Sequence, residues 1–112
     1  TELAQKSRVS INISSTSISF LPRTEEFAQQ GLYPCGLRQN RDVYSTAITI
    51  ASEVPLHVQG ILFDPQTSGG LLICLAPGKA ELLIDSLRQA GVEDAAIVGE
   101  VVSEPKGTVT VK

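Results

Sequence analysis

Residues 62–76 read Leu-Phe-Asp-Pro-Gln-Thr-Ser-Gly-Gly-Leu-Leu-Ile-Cys-Leu-Ala. Two apolar segments that favour burial are parted by a polar turn ending in paired glycines. Such an order is expected either of a turn connecting two core elements or of a turn that presents its backbone N–H groups and hydroxyls to an anion. The second segment, GGLLICLA, has strand length and no polar interruption, so it is expected as a central strand covered on both faces. Cys74 within it then reads as a small core hydrophobe.

The remaining segments interleave helical and extended patterns. TELAQKS (1–7) reads as the end of a helix with Leu3 and Ala4 towards a core, and its abrupt opening suggests a piece of a longer protein. RVSINIS (8–14) alternates, placing Val9, Ile11 and Ile13 on one face and Ser10, Asn12 and Ser14 on the other, the period of a half-buried strand. SSTSIS after it is a loop or a continuation of that strand. Residues 22–31 carry Pro first, acidic residues early and Gly last, which are helix start and stop signals. Pro34, Gly36 and Asn40 mark residues 32–40 as a loop. VYSTAITIA (43–51) is expected as a strand. PLHVQGILF (55–63) is expected as a short helix burying Leu56, Ile61 and Leu62, although Gly60 weakens it. Residues 78–91 carry the best helical pattern, with Leu82, Leu83, Leu87 and Ala90 on one face and Gly91 at the close. Residues 95–103 and 107–112 read as two strands joined at Pro105-Lys106-Gly107 and free to pair directly. The expected class is α+β: a mixed, mainly antiparallel sheet with helices packed on it.

Composition sets the outer limits. The 112 residues suit one domain, and 42% hydrophobic with 19% charged residues describes a globular chain. A net charge of −3 gives no global attraction to nucleic acid or anionic membrane. No apolar run reaches the length of a membrane span. The two cysteines, Cys35 and Cys74, make neither a disulfide framework nor a Cys-x-x-Cys pair, and a reducing, cytoplasmic setting is the simpler expectation.

Chemistry concentrates in Asp64-Pro65-Gln66-Thr67-Ser68-Gly69-Gly70. An Asp before Pro can accept from amides two or three residues on. Thr67 and Ser68 add hydroxyl donors. Gly69 and Gly70 permit positive φ and close approach of a ligand, and successive amides in such a turn form an anion nest. Asp64 repels a bare phosphate unless Mg²⁺ lies between them, so it is either structural or a metal-side group. The competing reading is a capped, tight connection into a buried strand. Arg38, Asn40 and Arg41 after Gly36 are a second polar set, able to bind an anion or simply to be solvated. His57 has no ligand-spaced partner and reads as a surface residue. No nucleophilic triad and no metal-ligand set can be assembled, and GxxxxGK[ST] does not occur.

The stretch LFDPQTSGGLLI resembles the C-terminal domain of selenophosphate synthetase (selenide, water dikinase), in which Asp-Pro-Gln-Thr-Ser-Gly-Gly-Leu-Leu is a signature. YPCGLRQN (33–40) is similar to that family's Pro-Gly-Gly-Thr-x-x-Asn segment. TELAQKS looks like the helix after its glycine-rich segment, and AAIVGEVV…GTVTV resembles its final hairpin, so the likeness covers essentially the whole chain. Two departures stand out: Cys35 replaces the first Gly of Pro-Gly-Gly, and Leu37 replaces the Thr.

The resemblance implies a fold shared with the C-terminal domain of aminoimidazole ribonucleotide synthetase. It implies a parent enzyme that converts selenide, ATP and water to selenophosphate, AMP and phosphate with Mg²⁺. In that family the reactive Cys or selenocysteine, its Lys partner and the metal-binding aspartates lie in an N-terminal domain, so no catalytic residue is expected in this chain, which alone should be inactive. Residues 1–112 are then a single domain whose partner is the N-terminal catalytic domain of the same polypeptide, in a homodimeric parent. Asp64, Thr67, Ser68, Gly69 and Gly70 become a candidate phosphate- or nucleotide-facing loop, with Gly36, Arg38 and Asn40 as a secondary one. A free-standing, non-enzymatic ligand-binding or regulatory module is the alternative that the residues leave open.

Overall fold

β-Branched residues at alternate positions build the sheet. In a computed structural model describing residues 1–112, β1 (Ser10–Ile13), β2 (Ile48–Ile50), β3 (Gly99–Val102) and β4 (Val109–Val111) form one sheet in the order β2-β4-β1-β3. β1 pairs antiparallel with β3 and parallel with β4, and β4 pairs parallel with β2. The register aligns Ile11, Val109 and Ile48 in one row and Ile13, Val111 and Ile50 in the next. Because side chains alternate across a strand, these two rows share a face, and Asn12, Thr110 and Thr49 form a polar row on the other.

The apolar face is covered by α1 (Glu2–Ser7) through Ala4 and by α4 (Leu56–Ile61) through Val58, with Val54 between them. α2 (Thr24–Gln29) packs on α4 through the buried Ala28. α3 (Gly36–Tyr44) and α5 (Pro77–Gln89) complete the helices, none of them long and apolar enough to cross a membrane. The class is α+β with a mixed sheet, as the interleaved pattern indicates.

Several local expectations are corrected. β3 and β4 do not form a hairpin, because β1 lies between them. Gly107, at φ 77, is in a conformation that favours glycine, and its amide bonds Val9 O at 2.8 Å, carrying the chain across the end of β1 instead of back along β3. Parallel pairings therefore predominate. Ser10, on the polar side of the alternation, is buried because its hydroxyl lies 2.8 Å from Thr108 Oγ1 and donates to Thr108 O. Within 43–51 only Ile48–Ile50 are strand; Val43 and Tyr44 end α3, and Ser45–Ala47 form a 3₁₀ turn. α4 buries Val58 and Gly60, with Phe63 beyond it, and leaves Leu56 79% exposed. Ala4 is buried as expected, but Leu3 is exposed.

The largest departure is GGLLICLA. Residues 70–76 pair with no strand and Leu71 is 90% exposed, since the central positions of the sheet are held by β1 and β4. Apolar content favours burial but does not choose a pairing partner. α5, which follows at once from Pro77, also has no buried residue. The cost is visible in the total surface: 8136 Å² for 11.9 kDa, against about 5,900 Å² for a typical folded chain of this mass.

Stability is accordingly expected to reside in the sheet. Ile11→Ala should cost about 3 kcal/mol in urea unfolding, and Leu72→Ala less than about 0.5 kcal/mol. The reverse order would place the core around residues 71–76.

Candidate functional site

The site is built from the end of α4. The helix follows Pro55, whose fixed φ suits a helix start. At its other end Phe63 N bonds Gly60 O and Asp64 N bonds Ile61 O, both at 3.0 Å, tightening the last turn. The helical conformation is disfavoured before Pro65, so the chain turns out at Asp64. Phe63 is buried and anchors the exit. Gln66 N then bonds the Asp64 main-chain carbonyl at 3.1 Å, which corrects the expectation of a cap by the Asp64 carboxylate.

Beyond Gln66 the loop is open. No backbone carbonyl of the chain accepts from the amides of Thr67, Ser68, Gly69 or Gly70, and all four residues are exposed. Neither Gly69 nor Gly70 adopts positive φ, so the loop does not use their left-handed freedom. A side chain at Gly70 would meet open space within the chain. Four amides and two hydroxyls thus lie along one exposed stretch without internal backbone partners, free to donate to solvent or to a ligand.

The second candidate set is helical, not a loop. Leu37 N bonds Pro34 O at 3.1 Å, and α3 runs on through Asn40 to Tyr44, held by the buried Leu37. Pro34 therefore precedes the helix instead of breaking it. Gly36 and Asn40, one turn apart, face the outgoing chain of α4. Asn40 Nδ2 donates to Phe63 O at 3.0 Å. A methyl group at Gly36 would stand 3.0 Å from Pro65 Cγ. Arg38 is exposed and has no ion pair. The structure thus joins Gly36 and Asn40 to the Asp64 loop and leaves Arg38 apart from that contact. Leu37, where the resemblance has Thr, is buried, so this position serves packing.

Beside the loop lies a cleft of about 310 Å³ whose lining includes Phe27, Tyr33, Leu37, Ile61, Asp64 and Gln66. A larger hollow of about 600 Å³ lies near Arg23, Glu25 and His57. Arg23 pairs with Glu26 at 3.2 Å and His57 Nε2 lies 3.7 Å from Glu25 Oε1, and the hollow does not include the loop. No group of three metal-ligating side chains occurs.

The family described as AIR synthase related protein, C-terminal domain, matches residues 1–112. The chain belongs to this family. This AIR synthase related domain is similar to the selenide, water dikinase of Pelobacter propionicus, 40% identical over 111 residues, covering 99% of the chain and 32% of the relative. It is also similar to that of Clostridioides difficile, 40% identical over 106 residues, covering 95% of the chain and 30% of the relative. Selenide, water dikinase 2 of Peptoclostridium acidaminophilum is 36% identical over 110 residues, covering 98% of the chain and 31% of the relative. The domain therefore spans about a third of the length of these relatives and corresponds to their C-terminal part.

Both thiols of the domain are free and exposed, which corrects the expectation of a core position for Cys74. Cys35 and Cys74 should accordingly both react with a thiol reagent under native conditions at rates near those of the unfolded chain. Protection of Cys74 alone would show that residues 71–76 are covered.

Proposed function

We propose that this chain is the C-terminal part of an ATP-dependent selenophosphate synthetase, converting selenide, ATP and water to selenophosphate, AMP and phosphate. The enzymatic groups lie in an N-terminal catalytic domain of the same polypeptide, and the parent is a cytoplasmic homodimer. The observation carrying this reading is the Asp64–Gly70 loop: anchored at its base by Phe63 and Asn40, and unpaired in its backbone amides from Thr67 to Gly70. Nothing within the chain requires glycine at position 70. The open space there leaves room for a ligand or domain to meet the loop from outside.

The donor set suits a phosphate. Thr67 and Ser68 offer hydroxyls, and Thr67 to Gly70 offer amides, to oxygens of the ATP phosphates in the cleft between the two domains. Phosphoryl transfer depends chiefly on positioning and charge stabilisation, so a loop without a base still contributes. The chain presents no metal-ligand set of its own, and Mg²⁺ in this reading comes with the nucleotide and the catalytic domain. The 112-residue chain alone forms no AMP from ATP and selenide.

In the intact enzyme, Thr67→Ala with Ser68→Ala should lower kcat/KM by at least about tenfold, the loss expected when hydrogen bonds to a charged group are removed, with unfolding midpoints unchanged. Unaltered turnover at unaltered stability would reduce the loop to a scaffold. A titration of the isolated chain with Mg²⁺-ATP, followed by amide NMR, should move resonances of Asp64–Leu71 only. Shifts elsewhere would place the nucleotide on another surface.

A further inference from the structure

We infer that Asn40 is a positioning residue, and that with Gly36 it forms a clamp on α3 that sets the direction in which the Asp64–Gly70 loop leaves α4. This rests on the functional reading above and gives Asn40 a task other than contacting a ligand. Two contacts, one helical turn apart, grip the chain on either side of Asp64. On the near side Asn40 Nδ2 donates to Phe63 O at 3.0 Å. On the far side the bare Cα of Gly36 lets the Pro65 ring approach so closely that a Cβ would lie 3.0 Å from Cγ and 3.2 Å from Cβ of that ring.

These contacts act on groups the loop cannot rearrange cheaply. Phe63 O is a backbone carbonyl past the last turn of α4, where helical carbonyls lack intrahelical partners. Asn is short enough to reach it from α3 and carries the N–H donors that Asp lacks. A proline ring is fixed to its own backbone and cannot swing aside as a long side chain can. Leu37, next to Gly36, is buried, so α3 itself is held against the body while it presents Gly36 and Asn40 to the loop. The loop tip beyond has no backbone bonds of its own. Its direction is therefore inherited from the clamp at its base.

The test uses Asn40→Ala, Asn40→Asp, Gly36→Ala and the double variant Gly36→Ala/Pro65→Ala, each made in the intact synthetase and in the 112-residue chain. In the enzyme, both Asn40 variants should lower kcat/KM for selenide-dependent AMP formation by about five- to tenfold, the scale of one lost hydrogen bond. Asn40→Asp should rescue nothing, because it keeps the shape without the donor. Gly36→Ala should be impaired and Pro65→Ala should recover part of the loss, since the ring carbon at 3.0 Å is then gone while the Cβ at 3.2 Å remains; that recovery is a coupling a merely destabilising change would not show. In the chain alone, the Asp64 and Gln66 amides should exchange faster in the Asn40 variants, with β1 and β4 unchanged. Wild-type kcat/KM in the Asn40 variants of an active enzyme, or no recovery in the double variant, overturns the clamp. Absence of AMP formation by the wild-type enzyme overturns the functional reading instead, and unchanged exchange at Asp64 and Gln66 then overturns the clamp separately. Where Asn40→Ala fails to fold, the Gly36 and Pro65 variants decide.

Discussion

Everything in this domain depends on β4 lying between β1 and β2. That position makes two parallel ladders and aligns isoleucine and valine side chains in two rows across three strands. The rows supply the apolar surface against which α1 and α4 pack. Serine hydroxyls fix the position further: Ser10 to Thr108 O at 3.0 Å and Ser15 to Lys112 O at 2.7 Å. Both bonds are partly buried, where a lost partner costs more than the bond contributes in water. α4 is thereby seated, and the Asp64–Gly70 loop leaves from the end of α4.

The loop combines a fixed base with an unsatisfied tip. Phe63 is buried, and the turn from Gly60 to Gln66 closes on its own carbonyls, whereas the next four amides have no backbone partner. Such a division would aim the tip before any ligand arrived, and ordering it afterwards would subtract from binding. Leu37 falls on the buried face of α3 and leaves the surface towards the Asp64 loop to Gly36 and Asn40. The apolar run after the loop and the stripe on α5 remain outside the core, and they contribute to a surface larger than is typical for this mass.

Sequence pattern revealed what local chemistry decides. The alternation of RVSINIS, the Pro ahead of α2 with the acidic residues in its first turn, and the periodic leucines of α5 all mark elements that formed. The Asp-Pro-Gln-Thr-Ser-Gly-Gly stretch pointed to the family and to the segment that carries unpaired donors. Non-local facts were hidden. The β3–β4 hairpin was expected because the two strands are neighbours in sequence, and nothing local shows that Gly107 steers the chain around β1. Pro34 and Gly36 read as breakers, yet Pro34 leads into α3 and Gly36 opens it, with Leu37 packing to hold the turn. Asn40 was visible as a polar residue, but its partner is a main-chain carbonyl 23 positions away, which no spacing rule reaches. The run at 71–76 shows the same limit from the other side, since hydrophobicity alone does not name a partner.

The topology also imposes an order in time. Each of the three ladders contains either β3 or β4, so every strand pairing needs residues after Val98. Ser10 and its partner Thr108 are 98 positions apart, a delay of about 5 to 20 s at ordinary rates of synthesis. Helices α1 to α4 can form during that interval, but Ile11, Ile13, Ile48 and Ile50 have no strand to meet. The nascent chain must carry its future core uncovered until almost all of the domain has been made.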